Sequence, residues 1–155
     1  MSETMTDTVA PDFTLPVTGG GEVTLSALRP APVVLFFYPR DDTSGCTRES
    51  IAFSGLKEEF DKLGVKVFGI SKDPIMSHDK FIAKHELTVP LLSDEGSDVS
   101  EKYGVWKEKS MYGKTFWGIE RSTFLIDGEG RIARAWRKVK VPGHAEEVLE
   151  AARAL

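Results

Sequence analysis

Residues 33–49 have the sequence VVLFFYPRDDTSGCTRE, and this stretch decides the fold. Its first part, residues 33–38, is an unbroken apolar run of the kind found in buried strands. Residues 39–45 are rich in proline, aspartate, threonine, serine and glycine, the residue types that form turns and helix N-caps. Apolar side chains with helical spacing follow. The stretch therefore predicts a strand, a turn and a helix in direct succession.

Cys46, the only cysteine of the chain, stands where this helix is predicted to begin. A helix N-terminus leaves backbone N–H groups unpaired and carries a partial positive charge, so it stabilises a thiolate relative to a thiol. An inward-facing stripe with spacings of three and four residues is formed by Cys46, Glu49, Phe53, Leu56, Phe60 and Leu63. We therefore expect Cys46 at the end of a strand, at the mouth of a pocket and on the core side of its helix. The alternative is a buried cysteine that serves only as a small apolar side chain.

The composition of the chain is typical of a globular protein. Its 155 residues are 41% hydrophobic and 28% charged, which predicts a single domain over residues 1–155 with a sizeable core. The net charge of −4 gives no basic surface for nucleic acid, and no apolar run reaches the length of a membrane span. The polar N-terminus lacks the apolar core of a signal peptide, and one cysteine suits a reducing compartment, so we expect a cytoplasmic protein.

Segments on either side of the central stretch predict a mixed sheet. Alternating residues at 12–15 and 23–25, on either side of a run of three glycines, predict a β-hairpin. Residues 65–71 predict a second strand, joined to the first by one helix that ends near Gly64. Such a βαβ unit makes the two strands parallel, with a right-handed crossover.

The second half of the chain predicts further helices and one more strand pair. Helices are predicted at 74–87, near 98–103 and from 144 onward, with a short apolar segment at 89–92. Antiparallel strands are predicted at 121–127 and 131–136, around a glycine-containing turn. We expect residues 105–121 to form a long loop that packs its aromatic side chains near the site, with plain loop packing or a dimer face as alternatives.

This order of elements predicts the α/β class, a mixed central sheet flanked by helices on both faces, with an N-terminal β-hairpin. Functional sites of such sheets lie beyond the carboxyl ends of the parallel strands. Cys46 follows the strand at 33–38 and is therefore expected at such a site. The three histidines, His78, His85 and His144, lack metal-ligand spacing and are expected at surfaces or helix ends. Asp41 and Asp42 are interpreted as turn and cap residues.

The chain resembles a known family in several separated motifs. The pattern Pro39-x-x-x-Thr43-x-x-Cys46 is similar to the active-site motif of peroxiredoxins. The strings FYPRDDTSGCTRE and KYGVWKEKSMYGKTFWGIERSTFLID resemble the bacterioferritin comigratory protein (PrxQ) subgroup. This resemblance covers nearly the whole chain. It implies a thioredoxin-like fold and thiol-dependent reduction of hydroperoxides, without a metal or an organic cofactor.

The resemblance also implies roles for five residues. Cys46 is the expected peroxidatic residue, whose thiolate attacks a peroxide oxygen and becomes a sulfenic acid. Thr43 is expected to hydrogen-bond the thiolate or the peroxide, or to act as a helix N-cap. Pro39 shapes the turn and shields the pocket, and Arg121 places a permanent cation beside the sulfur. Glu49 matches the family pattern, and we hypothesise that it orients Arg121; a contact with the helix dipole is the alternative.

Two departures from the family pattern bear on the catalytic cycle. Ser44 stands where the family often has proline, and Ile51 stands where many members carry a resolving cysteine. With one cysteine the chain cannot form an internal disulfide, so an external reductant is implied: thioredoxin, glutaredoxin or a small thiol. A monomer is favoured, with a dimer as the alternative. A peroxide sensor and a thiol–disulfide oxidoreductase are competing functions, although Thr43 replaces the first cysteine that a Cys-x-x-Cys motif needs.

Overall fold

The computed structural model describes residues 8–155, which form nine strands and five α-helices. The strands are β1 Thr14–Pro16, β2 Glu22–Thr24, β3 Val33–Phe37, β4 Lys66–Ser71, β5 Leu91–Ser93, β6 Trp106–Met111, β7 Lys114–Ile119, β8 Ser122–Ile126 and β9 Ile132–Trp136. The helices are α1 Ser44–Gly55, α2 Lys57–Lys62, α3 Ile75–His85, α4 Val99–Lys102 and α5 His144–Arg153.

Strand β3 lies at the centre of a five-stranded sheet with the order β5-β4-β3-β8-β9. It is parallel to β4 and antiparallel to β8, and all five of its residues are buried. A strand covered on both faces needs an unbroken apolar sequence, which is what residues 33–37 supply. The predicted βαβ unit and the mixed sheet are confirmed, and the apolar segment at 89–92 contributes the short parallel strand β5.

Alternate side chains of β3 enter two separate cores. Val34 and Phe36 pack with residues of α1, α2, α3 and α5 on one face of the sheet. Leu35 and Phe37 pack with the β1–β2 hairpin and α4 on the other. The predicted hairpin and the helices on both faces are therefore confirmed, and the end of β3 lies between two packed layers.

The first helix is interrupted, contrary to the single helix predicted from the sequence. Leu56 leaves helical geometry, with φ −104° and ψ 3°, and separates α1 from α2. The predicted inward stripe is confirmed up to Phe60, but Leu63 is 40% exposed. The break at Leu56 shifts the helical phase, so a stripe extrapolated from α1 no longer fits the end of α2.

The predicted loop at 105–121 is wrong, because β6 and β7 form a two-stranded antiparallel ribbon there. Its turn is the pair Tyr112-Gly113, both with positive φ, which is the geometry of a two-residue hairpin turn. The register joins Trp106 to Ile119 at the base and Met111 to Lys114 beside the turn. The ribbon therefore projects from the body of the protein directly before β8.

The absence of a signal peptide was predicted from the N-terminal segment. Residues 1–7 of that segment lie outside the described residues. Within residues 8–155, none of the helices combines the length and the apolar character that crossing a bilayer requires.

Candidate active site

The sulfur of Cys46 lies in the first turn of α1, just beyond the carboxyl end of β3. The side chain faces the sheet and packs in the core cluster that includes Tyr38 and Phe53. Its predicted place on the core side of the helix is confirmed. The residue is only 1% exposed, so it is more deeply buried than a position at a pocket mouth implies. The chemistry of the sulfur therefore depends on the polar groups that reach it inside the protein.

Arg121 is the group that reaches the sulfur. Its Nη2 donates to Cys46 Sγ at 3.4 Å and its Nη1 donates to Glu49 Oε1 at 2.6 Å. Arg121 directly precedes β8, which is antiparallel to β3, and this brings it across the sheet to the start of α1. Gly45 permits the approach, because a Cβ at that position would lie 3.1 Å from Arg121 Nη2. One guanidinium thus bridges the sulfur and a buried carboxylate.

The burial of Glu49 gives this bridge an unusual charge balance. Burial raises the pKa of Glu49 to about 7, although the charge and the hydrogen bond of Arg121 act in the opposite direction. Burial alone would lower the pKa of Arg121, but Glu49 and Cys46 raise it, so the guanidinium stays charged. The second carboxyl oxygen of Glu49 is buried and has no hydrogen-bond partner among residues 8–155. The hydrogen bonds of the Glu49 carboxyl group therefore offset only part of the cost of burying it.

Thr43 and Pro39 belong to the turn that leads into the site. Thr43 is the N-cap residue of α1, but its side chain makes no capping hydrogen bond. Its hydroxyl donates instead to the carbonyl oxygen of Arg40 at 3.0 Å. The lone pairs of the Thr43 hydroxyl oxygen can then accept a hydrogen bond. Pro39 is half-buried at the end of β3. The two residues shape the approach to Cys46, and neither makes a hydrogen bond to the sulfur among the described contacts.

A second polar cluster lies on the opposite side of the same turn and was missed in the sequence. Asp41 is buried and accepts hydrogen bonds from Tyr38, Ser77 and His78, at distances of 2.6, 2.8 and 2.8 Å. Burial alone would raise the pKa of Asp41, but these hydrogen bonds and the charge of His78 outweigh it, so its pKa is lowered. The other ring nitrogen of His78 donates to the carbonyl oxygen of Leu92 at 2.9 Å. Both ring nitrogens of His78 therefore lie within hydrogen-bond distance of oxygen atoms.

The expectation of surface or helix-end positions is wrong for His78, whereas His85 is the last residue of α3 and His144 is the first residue of α5. His78 is completely buried, and its place three residues before Phe81 is the sequence signal for an inward position on α3. His144 is buried against Thr123 Oγ1 at 2.8 Å, and burial lowers its pKa to about 4 although Glu147 acts in the opposite direction. His85 is half-buried and pairs with Asp42 at 2.8 Å.

Both aspartates lie in the turn, as interpreted from the sequence, but their surroundings differ. Asp42 is exposed, adopts φ 62° and pairs with Lys84 and His85 of α3. Asp41 is buried, and its backbone N–H donates to Asp73 Oδ2 at 2.8 Å. One carboxylate oxygen each of Asp41 and Asp73 and one nitrogen of His78 lie within 4.8 Å of one another, the spacing of a metal-ligand group. These three atoms are all engaged in protein hydrogen bonds, which fix the turn against α3.

Lys109 is a second cation beside the site. It belongs to the segment that the sequence predicts as a loop. Its Nζ donates to the carbonyl oxygen of Ile119, two residues before Arg121. Burial and the positive charge of Arg121 lower the pKa of Lys109, while Cys46 and Glu120 act in the opposite direction. The signal that was missed is the alternation of lysines in β6, which is visible only once the segment is recognised as a strand.

Comparisons with known proteins agree with this geometry. Residues 6–135 match the model of the AhpC/TSA family. Peroxiredoxin Bcp of Xanthomonas campestris is 47% identical over 156 residues, covering 99% of this chain and 98% of that protein. Peroxiredoxin Bcp of Bacillus subtilis is 45% identical over 141 residues, covering 91% of this chain and 90% of that protein.

Solved structures show the same similarity. Peroxiredoxin Q of Xanthomonas campestris superimposes with a TM-score of 0.87 at 48% identity, over 92% of this chain and 90% of that one. Peroxidoxin BcpB of Mycobacterium tuberculosis gives a TM-score of 0.84 at 35% identity, over 97% of each chain. The fold is therefore the thioredoxin-like fold of peroxiredoxins, and the activity is that of a thiol-dependent peroxidase. This chain belongs to the AhpC/TSA family and, within it, to the peroxiredoxins of the Bcp/PrxQ type.

Proposed function

We propose that the chain reduces hydrogen peroxide and organic hydroperoxides through a sulfenic acid on Cys46, which an external thiol then reduces. The observation that carries this proposal is the single guanidinium that contacts both Cys46 Sγ and Glu49 Oε1. A fixed cation beside the sulfur can stabilise the negative charge that moves from the sulfur to the departing oxygen in the reaction. The Xanthomonas campestris bacterioferritin comigratory protein, 48% identical in sequence, is described as having alkyl peroxide reduction activity, which supports the inclusion of organic hydroperoxides.

In the first step a lone pair of the thiolate forms a bond to the terminal peroxide oxygen while the O–O bond breaks. Cys46–S⁻ and R–O–O–H become Cys46–S–O–H and R–O⁻, and the alkoxide takes up a proton from water to give the alcohol. Negative charge moves from sulfur to the departing oxygen. Arg121 and the backbone N–H groups of Gly45 and Cys46 are the donors placed to stabilise that charge.

The other residues of the proposed site position these groups. Glu49 holds one nitrogen of Arg121 and so aims the other at the sulfur. Thr43 offers the lone pairs of its hydroxyl oxygen, which suits acceptance of a hydrogen bond from the peroxide O–H. Pro39 contributes no N–H group to the turn and limits the access of water to the sulfur.

The second half of the cycle needs a partner, because this chain has no second cysteine and carries isoleucine at position 51. An external thiol attacks Cys46–S–O–H, releases water and forms a mixed disulfide. A second thiol then attacks the sulfur of the partner, which frees the Cys46 thiolate and leaves the reductant as a disulfide. Thioredoxin, glutaredoxin or a small thiol can fill this role. We propose that the protein acts as a monomer.

Stopped-flow oxidation tests the proposal directly. The intact protein is mixed with hydrogen peroxide and with an organic hydroperoxide, and Cys46→Ser is the control. Rapid oxidation with one added oxygen on Cys46 by mass spectrometry, followed by multiple turnovers with added thiol, is expected. Fast but single-turnover oxidation would instead indicate a peroxide sensor, and turnover of disulfides without peroxide would indicate an oxidoreductase. A rate no higher than that of a free thiol at the same pH would reject the proposal.

A further inference from the structure

All three lysines of the β6–β7 ribbon lie on one of its two faces. Because side chains alternate along each strand, the pairing of Lys107 with Gly118, Lys109 with Phe116 and Met111 with Lys114 sets these residues on one side. We call this side the cationic face, and its side chains are Lys107, Lys109, Met111, Lys114 and Phe116. Glu108, the only acidic residue of the ribbon, pairs with Trp117 on the opposite side. Three positive charges thus share one face of a chain whose net charge is −4.

The cationic face is continuous with the proposed site. The ammonium group of Lys109 lies near Gly118, where an added Cβ would meet its Nζ at 3.6 Å, and it donates to the carbonyl oxygen of Ile119. Arg121 follows two residues later and contacts Cys46 Sγ. The side chain of Arg121 is 17% exposed whereas Cys46 is 1% exposed, so the solvent-facing edge of the site lies at Arg121, two residues after the ribbon ends at Ile119.

Away from its base the ribbon exposes large apolar side chains. Met111 is 56% exposed and Phe116 is 43% exposed on the cationic face, and Tyr112 at the turn is 96% exposed. Exposed aromatic and methionine side chains next to positive charges are typical of protein–protein contact surfaces. Six residues of extended strand span about 20 Å, which exceeds the reach of a small thiol bound at Arg121.

We propose that the cationic face docks an acidic protein that carries the reducing thiol. This inference rests on the proposed function, because only a chain that lacks its own resolving cysteine must receive every reducing thiol from outside. The three lysines attract a partner of opposite charge, and Met111 and Phe116 supply the apolar contact area. The position of the ribbon beside Arg121 directs the docked thiol toward the oxidised Cys46.

Steady-state turnover of the full chain with two reductants tests the docking surface. The protein reductant is a thioredoxin of low isoelectric point with its NADPH-dependent reductase, and the small reductant is dithiothreitol. The test variant is Lys107→Glu/Lys114→Glu, both on the ribbon. The matched control is Lys62→Glu/Lys66→Glu, which makes the same charge change at the other end of the sheet from Cys46. Stopped-flow oxidation by hydrogen peroxide measures the first step separately.

We expect kcat/KM for the thioredoxin to fall about tenfold in the ribbon variant, through KM, and to change less than about twofold in the control variant. Oxidation by peroxide and turnover with dithiothreitol should remain within about twofold of the wild type in both variants. For the wild type, kcat/KM for the thioredoxin should also fall as salt rises, with a weaker dependence in the ribbon variant.

Several results would overturn the docking proposal while leaving the peroxidase intact. These are unchanged thioredoxin kinetics in the ribbon variant, an equal loss with dithiothreitol, and a wild type that is oxidised rapidly but is not reduced by the thioredoxin. A loss confined to glutathione, assayed as a third reductant in the same way, would assign the face to a small anionic thiol instead. A dimer in light scattering that the ribbon variant dissociates, with unchanged thioredoxin kinetics, would assign it to a second copy. Slow peroxide oxidation of the wild type, by contrast, would refute the proposed function itself.

Discussion

Two buried ion pairs flank the turn between β3 and α1, and they differ in how completely they are satisfied. On the side of α3, Asp41 accepts three hydrogen bonds and both ring nitrogens of His78 are hydrogen-bonded. On the side of β8, Glu49 and Arg121 share one short contact, and the second oxygen of Glu49 has no partner within the described part of the chain. A second guanidinium nitrogen of Arg121, Nη2, donates to the sulfur of Cys46.

This difference separates a structural pair from a working one. A buried polar network in which every atom is bonded fixes one conformation, and breaking it is costly. A buried group left without a partner is held at a cost in stability, and such groups concentrate at functional sites. The Asp41–His78 pair therefore fixes the turn, and the Glu49–Arg121 pair leaves a cation available for the reacting sulfur.

Replacing His78 by phenylalanine should have the largest effect, and it should act on stability. The substitution keeps a ring of similar size but removes the donors to Asp41 and Leu92, so a buried carboxylate loses its charge partner. We expect a loss of about 3–5 kcal/mol in the free energy of unfolding. Peroxide oxidation of the folded protein should slow by less than about fivefold. Urea denaturation and stopped-flow oxidation measure the two effects.

His85→Phe is the matched control for that prediction. His85 lies on the same helix and contacts Asp42 at the same distance of 2.8 Å, but Asp42 is exposed. Exposed ion pairs contribute little to stability, so this variant should unfold close to the wild-type midpoint. Equal losses in the two variants would contradict the structural role assigned to the buried pair.

Replacing Arg121 by methionine should have the next largest effect, and it should act on the chemical step. The change removes the cation 3.4 Å from Cys46 Sγ and leaves Glu49 buried without its partner. We expect the rate constant for peroxide oxidation to fall about 10²–10³-fold, the magnitude found when one positioned donor is lost. Stopped-flow kinetics on protein that is folded by circular dichroism provides the measurement. Arg121→Lys, which keeps the charge but cannot bridge two acceptors, should recover only part of the rate.

Replacing Glu49 by glutamine should change how stability depends on pH. Because the folded-state pKa of Glu49 is about 7 and its ordinary value is 4.5, the folded protein holds a proton that the unfolded chain releases between these values. The stability from this group is fully present below pH 4.5 and is lost as pH rises to 7, a change of up to about 3 kcal/mol. Glutamine does not ionise, so the variant should not lose this stability as pH rises.

Urea denaturation of wild type and Glu49→Gln from pH 4.5 to 8 measures the difference. The two curves should differ progressively, with the variant gaining relative stability toward pH 8. Peroxide oxidation should slow only a few-fold, because the glutamine carbonyl can still accept from Arg121. Parallel curves across the range would show that Glu49 is ionised in the fold throughout, and an unchanged oxidation rate would leave it without a role in orienting Arg121.

The sequence predicted the surroundings of Cys46 better than it predicted the Asp41–His78 pair. Strand β3, the turn and the first turn of α1 follow one another in the chain, so local patterns were enough to place Cys46 and Glu49. Arg121 is distant in sequence, and it entered the prediction through family resemblance. His78 was expected at a surface or a helix end because its partners, Asp41 and Leu92, belong to separate elements that only the packing of α3 brings together.

The β6–β7 ribbon was missed for a different reason. Most of its side chains are exposed on both faces, so it lacks the alternation of apolar and polar residues that reveals a half-buried strand. Its turn uses Tyr112-Gly113 instead of the asparagine–glycine pair that signals a hairpin most strongly. The break at Leu56 follows Gly55, and this signal of a helix end was missed because the apolar spacing continues past it to Phe60.

Replacing Gly45 by alanine should have the smallest effect and should sharpen the geometry of the reacting pair. The new methyl carbon would lie 3.1 Å from Arg121 Nη2, which is closer than an ordinary contact, so the guanidinium must shift by a few tenths of an ångström. Because Nη1 is held by Glu49, the shift falls on the nitrogen that contacts the sulfur. We expect peroxide oxidation to slow about two- to threefold by stopped-flow, while stability is unchanged or slightly raised, since alanine favours a helix more than glycine. Gly55→Ala is the control, because an added Cβ at the end of α1 meets no atom within 4 Å, and it should leave the rate of peroxide oxidation unaltered. Equal oxidation rates in the two variants would place Arg121 farther from the sulfur in solution.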